Sequence, residues 1–228
     1  MIIQGTSITG MRIVDGSIIT QDLAIYIDAN NSSSYPGTGT SVSDLSGNGR
    51  TQLLASASQY TVLSGIKCFN CNSTYMVAAS ATPVLPTTGF TYICWARMKS
   101  STADWRTLYR STPDDHALLV EIGTNRLGMY NNPTGSFYPS GYTVEKLADV
   151  WTQWVVSGDS SGQTFYINGQ QVGTVSGQTA AGNSHQYIAA AGTGQYFGYI
   201  ANMLLYTTKL TQEQIQQNYY GLKGRFNV

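Results

Sequence analysis

The stretch from Gly198 to Gly221, GYIANMLLYTTKLTQEQIQQNYYG, limits what the rest of the chain can be. Ile200 to Tyr206 is almost wholly apolar, which is the pattern of a strand covered on both faces. A helix starts directly after it. Thr211 at the N-cap and Gln214 three residues on form a capping box, and Leu210 and Ile215 stand at the two positions of a hydrophobic staple. Ile215 and Tyr219 give the helix one apolar face, and Gly221 is in the right place to stop it. A lone capped helix after the last long strand of a β-rich chain has to lie on a sheet, because its apolar face needs cover.

Most of the remaining segments read as strands. Leu23 to Asp28 is one. Phe90 to Lys99 alternates, with Phe90, Tyr92, Cys94, Ala96 and Met98 on one face and Ile93, Trp95 and Arg97 on the other. Thr107 to Tyr109, Ala117 to Ile122 and Arg126 to Tyr130 follow, and Asn131 to Gly141 has the composition of a loop. Trp151 to Ser157 is followed by a turn across Gly158 to Gly162. Thr164 to Ile167 and Gln171 to Val175 then flank Asn168-Gly169, the preferred two-residue hairpin turn. Ala180 to Gly194 reads as a weak strand with loops. The long polar stretch Ala29 to Gly49 carries the turn pairs Pro36-Gly37 and Asn48-Gly49. With no linker or charge block, residues 23 to 228 read as one domain.

Residues 1 to 22 differ. Gly5-Thr6-Ser7-Ile8-Thr9 is echoed by Gly16-Ser17-Ile18-Ile19-Thr20, and two units this short cannot bury a face alone. An arm with Ile2, Ile3, Ile8, Ile13, Ile18 and Ile19 is a liability if left free. One reading is a frayed arm or an added edge strand; the favoured one makes these isoleucines docking residues that pair with a partner or with another copy of the chain.

Composition excludes several functions. Charged residues make up 11% and the formal net charge is zero, so no basic surface for nucleic acid is expected. The N-terminus has neither a basic region nor a long apolar run, and no segment reaches about 18 apolar residues. A soluble protein made in a cytosol is the expectation, with no membrane partner. Cys68-Phe-Asn-Cys71 has a metal-like spacing, but a structural zinc needs four ligands and there is no second such pair. Cys68, Cys71 and Cys94 are expected as free, mostly buried thiols. Asp44 is one carboxylate beside turn carbonyls, a thin case for calcium, so no cofactor is expected.

Catalysis finds little to stand on. Glycoside hydrolysis needs two carboxylates about 5 to 9.5 Å apart, and the only glutamates, Glu121, Glu145 and Glu213, form no such pattern. Asp114-Asp115-His116 is one tight polar cluster, read as a solvated turn after Pro113. Gly158 to Gly162 spells G-x-S-x-G but falls in the turn between two strands, not in a strand-to-helix elbow, and there is no phosphate loop. A sugar-binding reading fares better, because sugars stack on aromatic rings and hydrogen-bond to planar amides. Trp105, Tyr130, Asn132, Tyr138 and Tyr142 are the candidates, with Asn131 and Phe137 beside them. Against this, tyrosines at strand ends often bury the ring merely to cap a core.

The order of these segments carries a resemblance. FTYICWARMK with Trp95, then Trp151 with Trp154, the Tyr166 to Gly169 hairpin, and Leu204 to Ile215 together resemble the laminin-G-like, concanavalin A-like jelly roll. LAIYIDANNSSSYPGTGTSVSDLSGNG and the closing GLKGRF are similar to the variant found in tailed-phage virion proteins. The resemblance implies an all-β, two-sheet antiparallel jelly-roll sandwich over residues 23 to 228. It also implies one short C-terminal helix, an inward-facing Trp95, and an extended arm over residues 1 to 22. Family calcium sites draw on acidic residues in the last strand, where this chain has Ile200-Ala201-Asn202-Met203. As function, the resemblance implies a non-enzymatic virion structural protein, in a capsid decoration or a tail fibre. It would be docked by its arm to other virion proteins or its own copies, a trimer among them, and exposed on the particle surface. The alternative is a receptor-recognising lectin for a host surface glycan, and a third option is a glycan hydrolase.

Overall fold

The computed structural model describes residues 18–79, 85–112, 115–190 and 194–228. In chain order its strands are β1 (Leu23–Asp28), β2 (Ser41–Val42), β3 (Gln52–Leu54), β4 (Tyr60–Leu63), β5 (Ile66–Cys71), β6 (Met76–Ala78), β7 (Phe90–Met98) and β8 (Arg106–Thr112). They continue as β9 (His116–Val120), β10 (Arg126–Asn131), β11 (Ser136–Thr143), β12 (Trp151–Asp159), β13 (Gly162–Ile167), β14 (Gln170–Ser176), β15 (Ser184–Ile188) and β16 (Gly198–Tyr206). One helix follows, α1 (Gln212–Leu222), and then a 3-10 turn over Lys223–Arg225.

The strands form two antiparallel sheets packed as a sandwich. The first runs β14-β13-β12-β7-β16-β5-β4, with β1 also pairing with β16; the second runs β11-β10-β9-β8-β15-β6-β3-β2. Between them lies one core that takes Phe90, Tyr92, Cys94, Trp154 and Met203 from the first sheet and Leu108, Leu118, Leu127, Met129 and Ile188 from the second. The inward-outward alternation expected of residues 90 to 98 is realised: Tyr92 and Cys94 face this core, while Ile93 and Trp95 face away from it.

The outer face of the first sheet carries a second apolar layer, and here the C-terminal segment decides the architecture. Thr211 and Gln214 make both bonds of the capping box, and Leu210 and Ile215 are buried together with Leu204 and Tyr206 under the helix. Trp95 therefore faces outward, not into the sandwich, yet it is fully buried. Its ring stacks on Phe226 at 4.0 Å and 4° between planes, and on Tyr219 at 5.7 Å. Gly221 does not end the helix. The helix runs one residue further, to the buried Leu222, and the 3-10 turn makes the stop.

Both termini of the described chain are clamped to this layer. Arg225 grips Asp28 of β1 through two bonds of 2.5 and 2.9 Å, and Tyr26 donates to the same carboxylate. Ile18 and Ile19, expected as docking residues, are half-buried on the same apolar layer. The Ile19 N–H donates to Asn218 Oδ1 at 2.9 Å, and the Tyr206 hydroxyl donates to the Ile19 carbonyl at 2.8 Å. Ile2, Ile3, Ile8 and Ile13 lie outside the described residues.

The polar stretch after β1 serves that strand's free edge. Asp44 Oδ1 accepts from the Tyr26 N–H, Leu45 N–H donates to the Tyr26 carbonyl, and Ser34 Oγ accepts from the Asp28 N–H. Asp44 also accepts from the backbone N–H groups of Ser46 and Arg50. Its carboxylate thus acts as a surrogate strand that caps an edge. Among the described residues no three His, Cys, Asp or Glu side chains gather as a metal site. Cys68, Cys71 and Cys94 are buried free thiols, and burial pushes the first two up to about 12.

Residues 131 to 141 depart from expectation. Only the tip is a turn, and Ser136 onward forms the edge strand β11, opposite Tyr130 and Met129. Its Pro139 is exposed, as suits an edge, where a missing N–H costs nothing.

Two consequences are measurable. Removing the ring of Phe226, which is 3% exposed, uncovers Trp95, so Phe226→Ala should lower the unfolding free energy by roughly 3 kcal/mol in urea; a loss under about 1 kcal/mol would show that the C-terminal cover is dispensable. The second concerns His185, buried between Gln52 and the Tyr92 hydroxyl. Burial pushes its pKa down to about 4, below the ordinary value of about 6.5 in the unfolded chain. The unfolded chain takes up the proton first, so this contribution is whole above about pH 6.5 and is lost as pH falls toward 4. His185→Gln should flatten the stability profile between pH 6.5 and 4.5, and an unchanged slope would contradict this assignment.

Candidate functional site

With the middle of the first sheet covered on both faces, the aromatic cleft lies on the outer face of the second sheet. There Trp105, His116, Leu119, Tyr130, Asn132 and Gln195 line a cleft of about 220 Å³. Pockets for drug-sized ligands run to roughly 300 Å³ and above, so this one suits something the size of a single ring.

Strand geometry explains the cleft. Met129 points into the core, so its neighbour Tyr130 points out; Leu118 points in and Leu119 out. Pairing slips between Thr107 and Tyr109 and between Gly128 and Tyr130, and such bulges re-aim side chains near sites. The aromatic wall is built from edge-on contacts. Tyr130 meets Trp105 at 5.9 Å and 77°, and His116 at 5.9 Å and 80°. Phe137 meets Trp105 at 5.3 Å and lies where a Cβ on Gly128 would come within 2.8 Å of its ring. Glycine at 128 is thus what lets the Phe137 ring lie flat on the sheet. Arg126 covers the far side of Phe137 at 5.5 Å and is held by two bonds to Glu121. Those bonds lower the Glu121 pKa and raise that of Arg126.

The polar wall is equally fixed. Thr107 Oγ1 lies 2.8 Å from Gln195 Oε1 and 2.9 Å from His116 Nδ1. A hydroxyl has one proton, and the amide oxygen of Gln195 takes it, so His116 donates from Nδ1. Gln195 has φ of +55, a left-handed backbone that costs about 1 kcal/mol or more for a side chain of this kind. The bond from Thr107 N–H to the Gln195 carbonyl at 2.9 Å helps to hold it there. Asn132 sits at the tip of the β10–β11 turn. Asp115 Oδ1 accepts from its backbone N–H at 3.0 Å, and Oδ2 accepts from Asn183 Nδ2 at 2.8 Å.

Of the five aromatic and amide residues expected to bind sugar, Trp105, Tyr130 and Asn132 come together here. Tyr138 and Tyr142 do not line the cleft. Both are half-buried and pack on the inter-sheet core, the capping role in which a tyrosine keeps only its hydroxyl wet. The Asp115-His116 pair, expected in a solvated turn, is 5% exposed at each residue. His116 opens a strand, and Asp115 serves as an acceptor under the turn; Asp114 lies outside the described residues. Gln195 had no sequence signal, since it lies in a glycine-rich segment 88 residues from its partner Thr107.

Comparison with known proteins agrees with the architecture. A laminin-G-like family model, described as the concanavalin A-like lectin/glucanases superfamily, matches residues 71–216. No curated protein matches the chain. Among solved structures, Trypanosoma rangeli sialidase in complex with sialic acid superposes with a TM-score of 0.66 at 14% identity, covering 93% of this chain and 35% of that one. The ligand binding domain of botulinum neurotoxin serotype D, in complex with N-acetylneuraminic acid, superposes with a TM-score of 0.65 at 10% identity, covering 90% and 52%. The chain thus spans about a third of the sialidase and half of the toxin domain, and at these identities the likeness is one of fold. The matched family model covers more than half of the sequence, and the chain belongs to the concanavalin A-like lectin/glucanases superfamily.

Proposed function

We propose that this domain is a non-enzymatic carbohydrate-binding module that seats one sugar ring in the cleft between Trp105 and Tyr130. The observation that carries the reading is the convergence of two aromatic side chains, two planar amides and a fixed imidazole on one open sheet face. A pyranose offers an apolar face to the rings and a rim of hydroxyls to Asn132, Gln195 and His116. Small-ligand sites use a few placed polar groups to fix orientation, and here the lining is more polar than apolar, which suits a hydroxyl-rich ligand. Among the described residues the lining contains no Arg or Lys, so a neutral sugar fits it better than an acidic one. The sialidase and the toxin domain, solved with sialic acid and N-acetylneuraminic acid, support sugar binding as a use of this fold without fixing the sugar. Among the described residues the lining also contains no carboxylate pair of the kind that glycoside hydrolysis requires, which supports binding without cleavage.

A second reading, compatible with the first, is a virion surface protein held by its N-terminal arm. Ile18 and Ile19 are anchored on the helix-covered layer, and the cleft lies on the outer face of the other sheet. A chain docked through residues 1–17 would therefore present the cleft away from its anchor. Other virion proteins or further copies of the chain would receive that arm, with a trimer as one arrangement.

A glycan array followed by titration tests the first reading. Trp105→Ala or Asn132→Ala should weaken binding at least about tenfold, which corresponds to 1.4 kcal/mol, while Tyr142→Ala leaves it unchanged. Absence of binding at millimolar sugar, or release of reducing ends from a polysaccharide panel, would overturn it. For the second reading, the full chain and residues 18–228 should differ in oligomeric mass by ultracentrifugation while binding sugar alike. Equal mass would remove the docking role of the arm.

A further inference from the structure

Across the second sheet, strands β15, β8, β9 and β10 are successive neighbours. Tyr187 on β15 stands opposite Arg110 on β8, and also opposite Val77 on β6. On the other side, Tyr130 on β10 stands opposite His116 on β9 and Phe137 on β11. Directly opposed residues share a face. That face is the outer one, because the chain neighbours Met76, Tyr109, Met129 and Ile188 all point into the inter-sheet core. Between the two pairings, Ser111 N–H bonds to the Asp115 carbonyl, which puts Arg110 beside the start of β9. A single row perpendicular to the strands thus runs from Val77 through Tyr187, Arg110 and His116 to Tyr130 and Phe137.

The far end of the row is a second aromatic station. Tyr187 meets Tyr75 edge-on at 5.2 Å and 88°, and the Arg110 guanidinium carbon lies 5.5 Å from the centre of the Tyr187 ring. Both tyrosines are half-buried and partly open to solvent. A ring braced from two sides has little rotamer freedom left to lose on binding, which is how tyrosine supplies contact area cheaply. Three strand spacings separate Tyr187 from Tyr130, about 14 Å. That is more than a single sugar ring spans, and it fits a short linear glycan laid across the strands.

We infer that the binding face extends from the cleft to the Tyr187–Tyr75 station, and that the ligand class is an extended oligosaccharide rather than one terminal sugar. This rests on the cleft being a sugar site. The cleft seats one end of the glycan, and the Tyr187 ring stacks against a residue further along it. The row between them offers the Arg110 and His116 side chains and no large apolar group, so a hydrated chain suits it better than a protein partner.

Titration of the full chain with β-1,4-linked glucose and N-acetylglucosamine series, each from one to six units, tests the extension. Affinity should rise about tenfold or more between the monosaccharide and the longest member. Tyr187→Ala should return the longest member to the affinity of the short ones and leave the monosaccharide unchanged, while Tyr187→Phe, which keeps the ring, behaves as wild type. If Tyr187→Ala fails to fold by circular dichroism, Tyr75→Ala and the wild-type length series decide the matter. Equal affinity at all lengths would overturn the extension and leave the cleft standing. No binding at any length would overturn both. Self-association through this face, seen as a concentration-dependent mass abolished by Tyr187→Ala, would replace the glycan with a second copy of the chain and so overturn the inference.

Discussion

The structure depends on β16 being buried on both faces and paired on both edges. One edge of the strand meets β7 along its whole length; the other is shared by β1 and β5. Met203 and Leu205 enter the inter-sheet core, and Leu204 and Tyr206 enter the outer layer. A strand in that position needs a lid on its outer side, and α1 with Phe226 supplies one. Burying side chains of this size contributes roughly 1.5–3 kcal/mol apiece before conformational entropy is counted. The lid covers the middle of the first sheet around β16 and β7, while the outer face of the second sheet carries the aromatic cleft.

The same constraint organises polar groups. Asn202 opposes Trp95 at the bulge in the β16–β7 pairing, and its Oδ1 accepts from the Trp95 N–H at 3.3 Å. An amide in that place repairs the ladder where the register slips. Asp28 is nearly buried and is matched by a two-pronged guanidinium, the geometry that makes a partly buried ion pair affordable. Asp44 saturates the free edge of β1. The acidic groups nearest the first loop thus serve the fold, and the uncharged character of the chain extends into its cleft.

Much of this is legible in the sequence. The capping box, the staple and the apolar run of residues 200 to 206 carry strong local signals, and the Asn168-Gly169 turn is nearly diagnostic. Tyr130 and Asn132 are legible because aromatic and amide residues cluster around one loop, and Trp105 as a separate aromatic between the charged Asp104 and Arg106. Other features were not legible, for physical reasons. Pro139 and Gly141 disguise β11, since turn residues are tolerated at an edge where one row of hydrogen bonds is missing. Trp95 alternates correctly, but alternation does not say which face of a doubly covered sheet is the outer one. Tyr138 and Tyr142 look like Tyr130 in sequence and differ only in which side of the strand they take. Gln195 joins the cleft through Thr107, 88 residues away in the chain, and His116 meets the same hydroxyl across the β8–β9 pair; no local pattern encodes that three-way contact.

The claim that the open face of the second sheet is the sugar-binding surface is most directly tested by amide chemical-shift mapping of the ¹⁵N-labelled full chain during titration with the glycan it binds. Shifts are expected at Leu119, Tyr130, Asn132 and Gln195, with the helix and the loop around Asp44 silent. Shifts confined to that loop, or to the helix-covered face, would contradict it.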